Sequence, residues 1–158
     1  MSPGKTSETA CVEYQLEVDF SAPIEAVWNA LLNDVHLWWL PDFHMVGADS
    51  RVEFDVSAGG KGLVEYRPDG SFLQWYAVQC YMPAQKKIYL LGHLAPEFGG
   101  PSTTSMTLTL EDLEESGCRL LIHDAHFGKV DQRTVDSLSS GWDQLFRDGL
   151  KRHVEQGS

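Results

Sequence analysis

The fold of this chain is decided by residues 12–32, VEYQLEVDFSAPIEAVWNALL. Apolar side chains occupy every second position from residue 12 to residue 20, and acidic or amide side chains lie between them. This period of two predicts a strand with one buried face. After Ser21-Ala22-Pro23 the apolar spacing changes to three and four residues, which predicts a helix that ends near Leu32, with Ser21 as its N-cap.

More strands and one long helix complete the chain. Residues 34–40 are predicted to form a second short helix, and turn signals then separate strands at 51–56, 62–67, 72–82, 87–93, 103–110 and 118–127. The last helix is predicted over about 132–155, with Asp131 as its cap. Inside it, Gly141 suggests close approach of another backbone or room for a ligand. The predicted class is α+β, an antiparallel sheet of six or seven strands wrapped around the C-terminal helix, with two short helices after strand one.

Length, charge and cysteine content narrow the function classes. The chain has 158 residues, which suits a single domain, predicted over 11–158 behind a flexible start at 1–10. Its formal charge of −11 argues against binding to nucleic acid. The sequence has no apolar run long enough for membrane insertion and no C-x-x-C pair among its three cysteines. We therefore expect a cytoplasmic protein.

The predicted sheet suggests a cavity. A twisted sheet of about seven strands curls, and one helix of roughly 10 Å diameter leaves part of its concave side uncovered. Aromatic side chains either fill that space or line a pocket, and their abundance does not choose between the two. The predicted lining residues are Trp39, Phe54, Tyr66, Trp75, Tyr81, Asp124, His126 and Trp142. The leading hypothesis is a binder of a small hydrophobic molecule, with no cofactor.

The last strand carries the residues best suited to chemistry. Alternation places Asp124 and His126 on one face with Leu120 and Ile122, and His123 on the other face. Both faces carry apolar side chains, so either could point inward. If Asp124 and His126 point inward, they form a buried acid–base pair and are candidate catalytic residues; otherwise they are a polar pair at the end of the sheet. The histidine spacing predicts no metal site.

Several segments resemble a known family. They are residues 21–31, Trp38-Trp39, the Asp69-Gly70 hairpin, Pro83, Gly117 and Gly141-Trp142-Asp143-Gln144-Leu145. With these residues the chain resembles the START-like, or SRPBCC, superfamily from about residue 12 to residue 155, and most of all the branch named for the activator of the heat-shock-protein-90 ATPase. The resemblance implies a helix-grip fold with a deep pocket between the sheet and the last helix, used for lipids, hormones, polyketides and other hydrophobic molecules.

Two other functions stay open. A cyclase, dehydratase or hydrolase could work in the same pocket, with His126 and Asp124 as proton-transfer groups. The name of the branch instead implies an interaction module that acts on a chaperone through its outer surface. An uncovered sheet edge could also support a homodimer.

Overall fold

A computed structural model describes residues 3–156, and within them one sheet dominates. Its strands are β1 Ala10–Phe20, β2 Arg51–Asp55, β3 Gly62–Tyr66, β4 Phe72–Met82, β5 Lys87–Leu94, β6 Ser102–Asp112 and β7 Cys118–Gly128. Every neighbouring pair is antiparallel, in the order β1-β7-β6-β5-β4-β3-β2. The predicted class is confirmed, with seven strands. The predicted flexible start, residues 1–10, and the end of the predicted domain lie partly outside the described residues.

Helices follow the first and the last strand in the chain. The short helices α1, Ile24–Asn33, and α2, Val35–Trp38, follow β1. The C-terminal helix runs without a break through α3, Gln132–Gln144, a π-helical segment, Leu145–Lys151, and α4, Arg152–Gln156. Within residues 3–156, none of the helices is long and apolar enough to cross a membrane.

One of the two predicted helix caps is correct. The carboxylate of Asp131 accepts a hydrogen bond of 2.8 Å from the amide of Thr134 and caps α3. The prediction of Ser21 as the cap of α1 is wrong, because Pro23 occupies that position without a side-chain hydrogen bond. The amide of Ser21 instead donates a hydrogen bond of 2.7 Å to the carboxylate of Glu155. This bond connects the segment before α1 to the end of the C-terminal helix.

The core lies between the concave face of the sheet and the C-terminal helix. On β1 the alternating pattern buries Val18 and Phe20, and on β7 it buries Leu120 and Ile122. The C-terminal helix covers these residues with an apolar stripe that includes Leu145. The last strand therefore points its even-numbered side chains inward, so the inward alternative for Asp124 and His126 is the correct one.

The glycine that allows close helix approach is Gly149. A Cβ added at Gly149 would clash with the carbonyl oxygen of Trp38 on α2. The expectation of close backbone approach at Gly141 is wrong, since among the described residues an added Cβ there would meet only the Phe43 ring, at an ordinary 3.6 Å. The missing side chain of Gly149 therefore lets α2 sit directly against the C-terminal helix.

Candidate functional site

Aromatic rings fill most of the space under the C-terminal helix. The Trp39 ring meets Trp75 and Trp142 edge to face, at centroid distances of 5.4 and 6.3 Å, and Trp142 stacks on Phe146 at 5.8 Å. The void left inside this cluster measures about 10 Å³, room for roughly one water at most. The deep pocket that the resemblance implies is closed in this chain, because large interlocking rings occupy it.

A cleft of about 190 Å³ remains beside the aromatic cluster. Four strands and the last helix contribute to its wall, with Trp75, Tyr76, His93, Thr104, His126, Leu138 and Trp142. Met45 and Phe98 also line it and are 47% and 53% exposed, which marks its mouth. Within the described residues, no Lys, Arg, Asp or Glu side chain lines this cleft. Its wall is apolar apart from a few hydrogen-bonding groups.

Asp124 and His126 form a fully buried polar pair at this cleft. Asp124 is 0% exposed and His126 is 1% exposed, and Nε2 of His126 lies 2.8 Å from Oδ2 of Asp124. The hydroxyl of Tyr14 donates to the same oxygen at 2.5 Å, and the hydroxyl of Thr104 donates to Oδ1 at 2.5 Å. In contrast, His123 points outward and contacts Glu13 at 2.7 Å.

The hydrogen bonds around Asp124 indicate which ring nitrogen of His126 carries a proton. A carboxylate can only accept hydrogen bonds, so Nε2 of His126 carries a proton and donates it to Asp124. Burial, followed by the charge and the hydrogen bond of Asp124, raises the pKa of Tyr14, so Tyr14 remains a protonated donor. In neutral His126, Nδ1 is then left with a free lone pair.

Two buried nitrogens at the cleft lack a hydrogen-bond partner. Nδ1 of His126 and Nε1 of Trp75 are both shielded from solvent, and neither has a partner within residues 3–156. Leaving a buried polar group unpaired costs about 1–3 kcal/mol. Nδ1 of His126 can accept a hydrogen bond, and Nε1 of Trp75 can donate one. Two residues of the cleft wall, His126 and Trp75, therefore each carry a buried nitrogen with unused hydrogen-bonding capacity.

Tyr76 lies between these groups and the core. Burial, and then the charge of Asp124, raises the pKa of Tyr76. Tyr76 is therefore a neutral phenol at physiological pH, and it adds no charge to the cleft.

The structure brings together part of the predicted set. Trp75, His126 and Trp142 line the cleft, and Asp124 lies behind His126. Trp39 and Phe54 border the small internal void instead.

The other two predicted lining residues lie away from the cleft. Tyr81 stacks on Trp28, with ring centroids 6.1 Å apart. Tyr66 donates a 2.6 Å hydrogen bond to Glu53 and lines an open groove of about 410 Å³ with Lys61 and Phe72. That groove is on the face of β3 opposite to Leu63, which belongs to the core.

Glu65 was not predicted as part of the site. Its carboxylate is 0% exposed and accepts hydrogen bonds from the amides of Met45, at 2.7 and 2.9 Å, and Val46, at 3.1 Å. It also accepts a hydrogen bond of 3.1 Å from the hydroxyl of Ser50. Glu65 thus holds the segment that carries Met45 to the mouth of the cleft. The signal in the sequence is its alternation with apolar Leu63, which places a carboxylate on a buried face.

Metal-binding groups and thiols are two further kinds of side chain that can carry chemistry. Among residues 3–156, no three His, Cys, Asp or Glu side chains lie close enough together to hold a metal ion. Burial, with the charges of Asp112 and Asp19, raises the pKa of Cys118 to about 11, so its thiol is protonated at neutral pH.

The architecture and the sequence together identify the family. A seven-stranded antiparallel sheet closed by a C-terminal helix defines a helix-grip protein of the START-like superfamily. Residues 21–155 match the family described as Activator of Hsp90 ATPase homolog 1-like protein, and the chain belongs to this family. No curated protein matches the chain closely enough to indicate a relative.

Solved structures share the fold at low sequence identity. Protein MLL2253 from Mesorhizobium loti is 21% identical, with a TM-score of 0.69 over 93% of this chain and 99% of that one. Ara h 8.0201 is 12% identical, with a TM-score of 0.65 over 93% of this chain and 99% of that one. DynU16, from the dynemicin biosynthetic locus, is 18% identical, with a TM-score of 0.66 over 92% of this chain and 48% of that one. At these identities the likeness shows the fold alone.

Proposed function

We propose that this protein reversibly binds a small, neutral and largely apolar molecule in the cleft beside His126. The observation that carries this proposal is the cleft of about 190 Å³ whose wall includes His126, with Nδ1 buried and unpaired among the described residues. A hydroxyl group on the ligand would supply the missing hydrogen bond. The ligand rings would pack against Trp75 and Trp142.

The volume of the cleft sets the size of the ligand. An enclosed cavity of about 150 Å³ in another protein holds benzene. At about 190 Å³, this cleft suits a single ring with small substituents or a small fused ring. Long acyl chains and steroid-sized molecules need space that the rings of Trp39, Trp142 and Phe146 occupy.

The charges around the cleft favour a neutral ligand. Its lining provides no Lys or Arg within the described residues, and the carboxylate of Asp124 lies directly behind His126. A bound carboxylate or phosphate would therefore lose its hydration without gaining an opposite charge. The net charge of −11 repels anions further.

Calorimetric titration with phenol tests the proposal. We expect saturable binding at one site per chain, with a dissociation constant below about 1 mM. Leu138→Trp fills the cleft and should weaken binding at least tenfold. Leu37→Trp makes the same substitution at a 63% exposed position away from the cleft and should bind phenol like the unmodified protein. Equal binding by both variants, or no saturable binding at all, would refute the proposal.

The homodimer and the chaperone partner stay predictions. β1 and β2 form the two edges of the sheet, and either could pair with a second chain. The chaperone partner rests on the family name, and ligand binding in the cleft does not depend on it.

A further inference from the structure

We propose that His126 is a catalytic base and that the protein is an enzyme, which removes a proton from the carbon next to a carbonyl group in a small ring ketone. This inference rests on the proposed function, because the ketone must occupy the same cleft. The reaction needs a proton acceptor and a hydrogen-bond donor for the oxygen. Two residues that line the cleft each carry an unused buried nitrogen: Nδ1 of His126 can accept a hydrogen bond and Nε1 of Trp75 can donate one.

The hydrogen bonds around Asp124 orient the base. Asp124 holds Nε2 of His126 at 2.8 Å, which directs the lone pair of Nδ1 away from the carboxylate. Tyr14 and Thr104 hold the two oxygens of Asp124 in turn, from strands on either side of β7. Asp124, Tyr14 and Thr104 are positioning residues in this scheme. The negative charge of Asp124 stabilises the imidazolium that forms when Nδ1 takes up a proton.

Trp75 supplies the group that the oxygen requires. Its indole N–H is a donor only, and it has no acceptor among residues 3–156. A donor aimed at a developing oxygen anion in an apolar site stabilises the transition state more than the ground state. A ketone oxygen that accepts this hydrogen bond gains most when it becomes an enolate.

The step balances without a co-reactant. The C–H bond next to the carbonyl breaks, its proton goes to Nδ1 of His126, and its electron pair forms a C=C bond. The π electrons of the carbonyl move to oxygen, which becomes the enolate anion. The proton then returns from Nδ1 to the same carbon, to the oxygen, or to a conjugated carbon. These outcomes are exchange, enol formation and isomerisation, and none of them involves an oxidant or a reductant.

The titratable groups that bond to Asp124 and His126, or line the same cleft, come from four strands. They are Tyr14 on β1, Asp124 on β7, Tyr76 on β4 and His93 on β5, of which Tyr76 and His93 line the cleft. The reaction requires Nδ1 without a proton. A proton on Nδ1 would therefore stop the reaction.

Hydrogen–deuterium exchange of 2-indanone provides the test. Proton NMR in D₂O follows exchange at the carbons next to the carbonyl, and quenching of tryptophan fluorescence follows binding of the same ketone. We expect saturable exchange by the unmodified protein. His126→Gln should lower kcat about 100-fold with KM changed little. Trp75→Phe should lower kcat by about 10-fold or more.

His123→Gln is the matched control, since it makes the same substitution on the outer face of the same strand. It should exchange 2-indanone like the unmodified protein. If His126→Gln does not fold, the kcat of the unmodified protein is compared across pH with the protonation of His126 followed by NMR, and the two curves must coincide.

Two results would overturn the inference and can be told apart. If 2-indanone binds but exchanges no faster than in buffer, or exchanges equally fast with His126→Gln, the catalytic role is wrong and the binding function stands. If neither phenol nor 2-indanone binds, the proposed function fails, and the catalytic inference fails with it.

Discussion

Nε2 of His126 lies 2.8 Å from Oδ2 of Asp124 on a strand face that is otherwise buried and apolar. Burying a charged group is costly unless hydrogen bonds replace the lost water. Here the hydroxyls of Tyr14 and Thr104 donate two more hydrogen bonds to the Asp124 carboxylate. Among residues 3–156, Nδ1 of His126 is the buried side-chain atom of this network that lacks a hydrogen-bond partner, and His126 lines the cleft.

Removing the Tyr14 hydroxyl should destabilise the fold. Tyr14→Phe deletes a hydrogen bond to a fully buried carboxylate, so we expect a loss of about 2 kcal/mol in the free energy of unfolding. Tyr66→Phe also deletes a hydroxyl bonded to a carboxylate, but its acceptor Glu53 is half-buried, and the loss should stay below about 1 kcal/mol. Urea unfolding measures both values. Equal losses would contradict the special role of the Asp124 network.

Local pattern was enough to predict the strands, the helices and the shared face of Asp124 and His126, but not whether that face points inward. The local pattern could not identify the hydrogen-bond partners of Asp124 and His126, because it does not determine the register between strands. Tyr14 pairs directly with Asp124 and Thr104 with His126, at separations of 110 and 22 residues that only the assembled sheet brings together.

The cavity was the least predictable feature. The sheet and helix pattern predicts a concave space, but the packing of individual rings decides how much of it stays open. Trp39 and Trp142 were predicted to line a pocket, and their edge-to-face contact closes most of it. The role of Gly149 could not be predicted either, because it depends on the position of the Trp38 backbone on another helix.

Loss of the Glu65 charge should loosen the mouth of the cleft. Glu65→Gln removes a buried carboxylate that accepts bonds from Met45, Val46 and Ser50, and the amide cannot accept all of them. We expect a loss of about 2–3 kcal/mol in stability and weaker phenol binding. Glu53→Gln is the control at a half-buried position. Unchanged phenol affinity in Glu65→Gln would show that this segment does not shape the cleft.

Replacing two glycines of the C-terminal helix by alanine should change the stability of the protein in opposite directions. Gly149→Ala forces a Cβ against the carbonyl of Trp38, and we expect a loss of about 2 kcal/mol or more. Gly141→Ala meets only an ordinary contact with Phe43 and should gain up to about 1 kcal/mol from helix propensity. Thermal unfolding compares them directly. A stabilised Gly149→Ala variant would contradict the close approach of α2.

The cap of α3 should make stability depend on pH. Hydrogen bonds from the amide and the hydroxyl of Thr134 lower the pKa of Asp131 below its ordinary value of 3.8. A carboxyl whose pKa is lower in the folded state stabilises the fold above its ordinary pKa, and this contribution disappears as the pH falls through the lowered value. Asp131→Ser keeps a capping oxygen that does not titrate.

The unmodified protein should therefore lose stability relative to Asp131→Ser as the pH falls from about 5 to about 2. Urea unfolding at a series of pH values gives the difference between the two proteins. A difference that stays constant over this range would show that the Asp131 cap does not depend on its charge.

The central claim is that Nδ1 of His126 is a free acceptor at a ligand cleft, and ¹⁵N NMR of the imidazole tests it most directly. We predict a protonated Nε2 and an unprotonated Nδ1 in the free protein. Titration with phenol should then shift the Nδ1 signal as it accepts a hydrogen bond, and this shift should saturate with the calorimetric dissociation constant. A protonated Nδ1 in neutral His126, or an Nδ1 signal that does not move when phenol saturates the protein, would contradict the account.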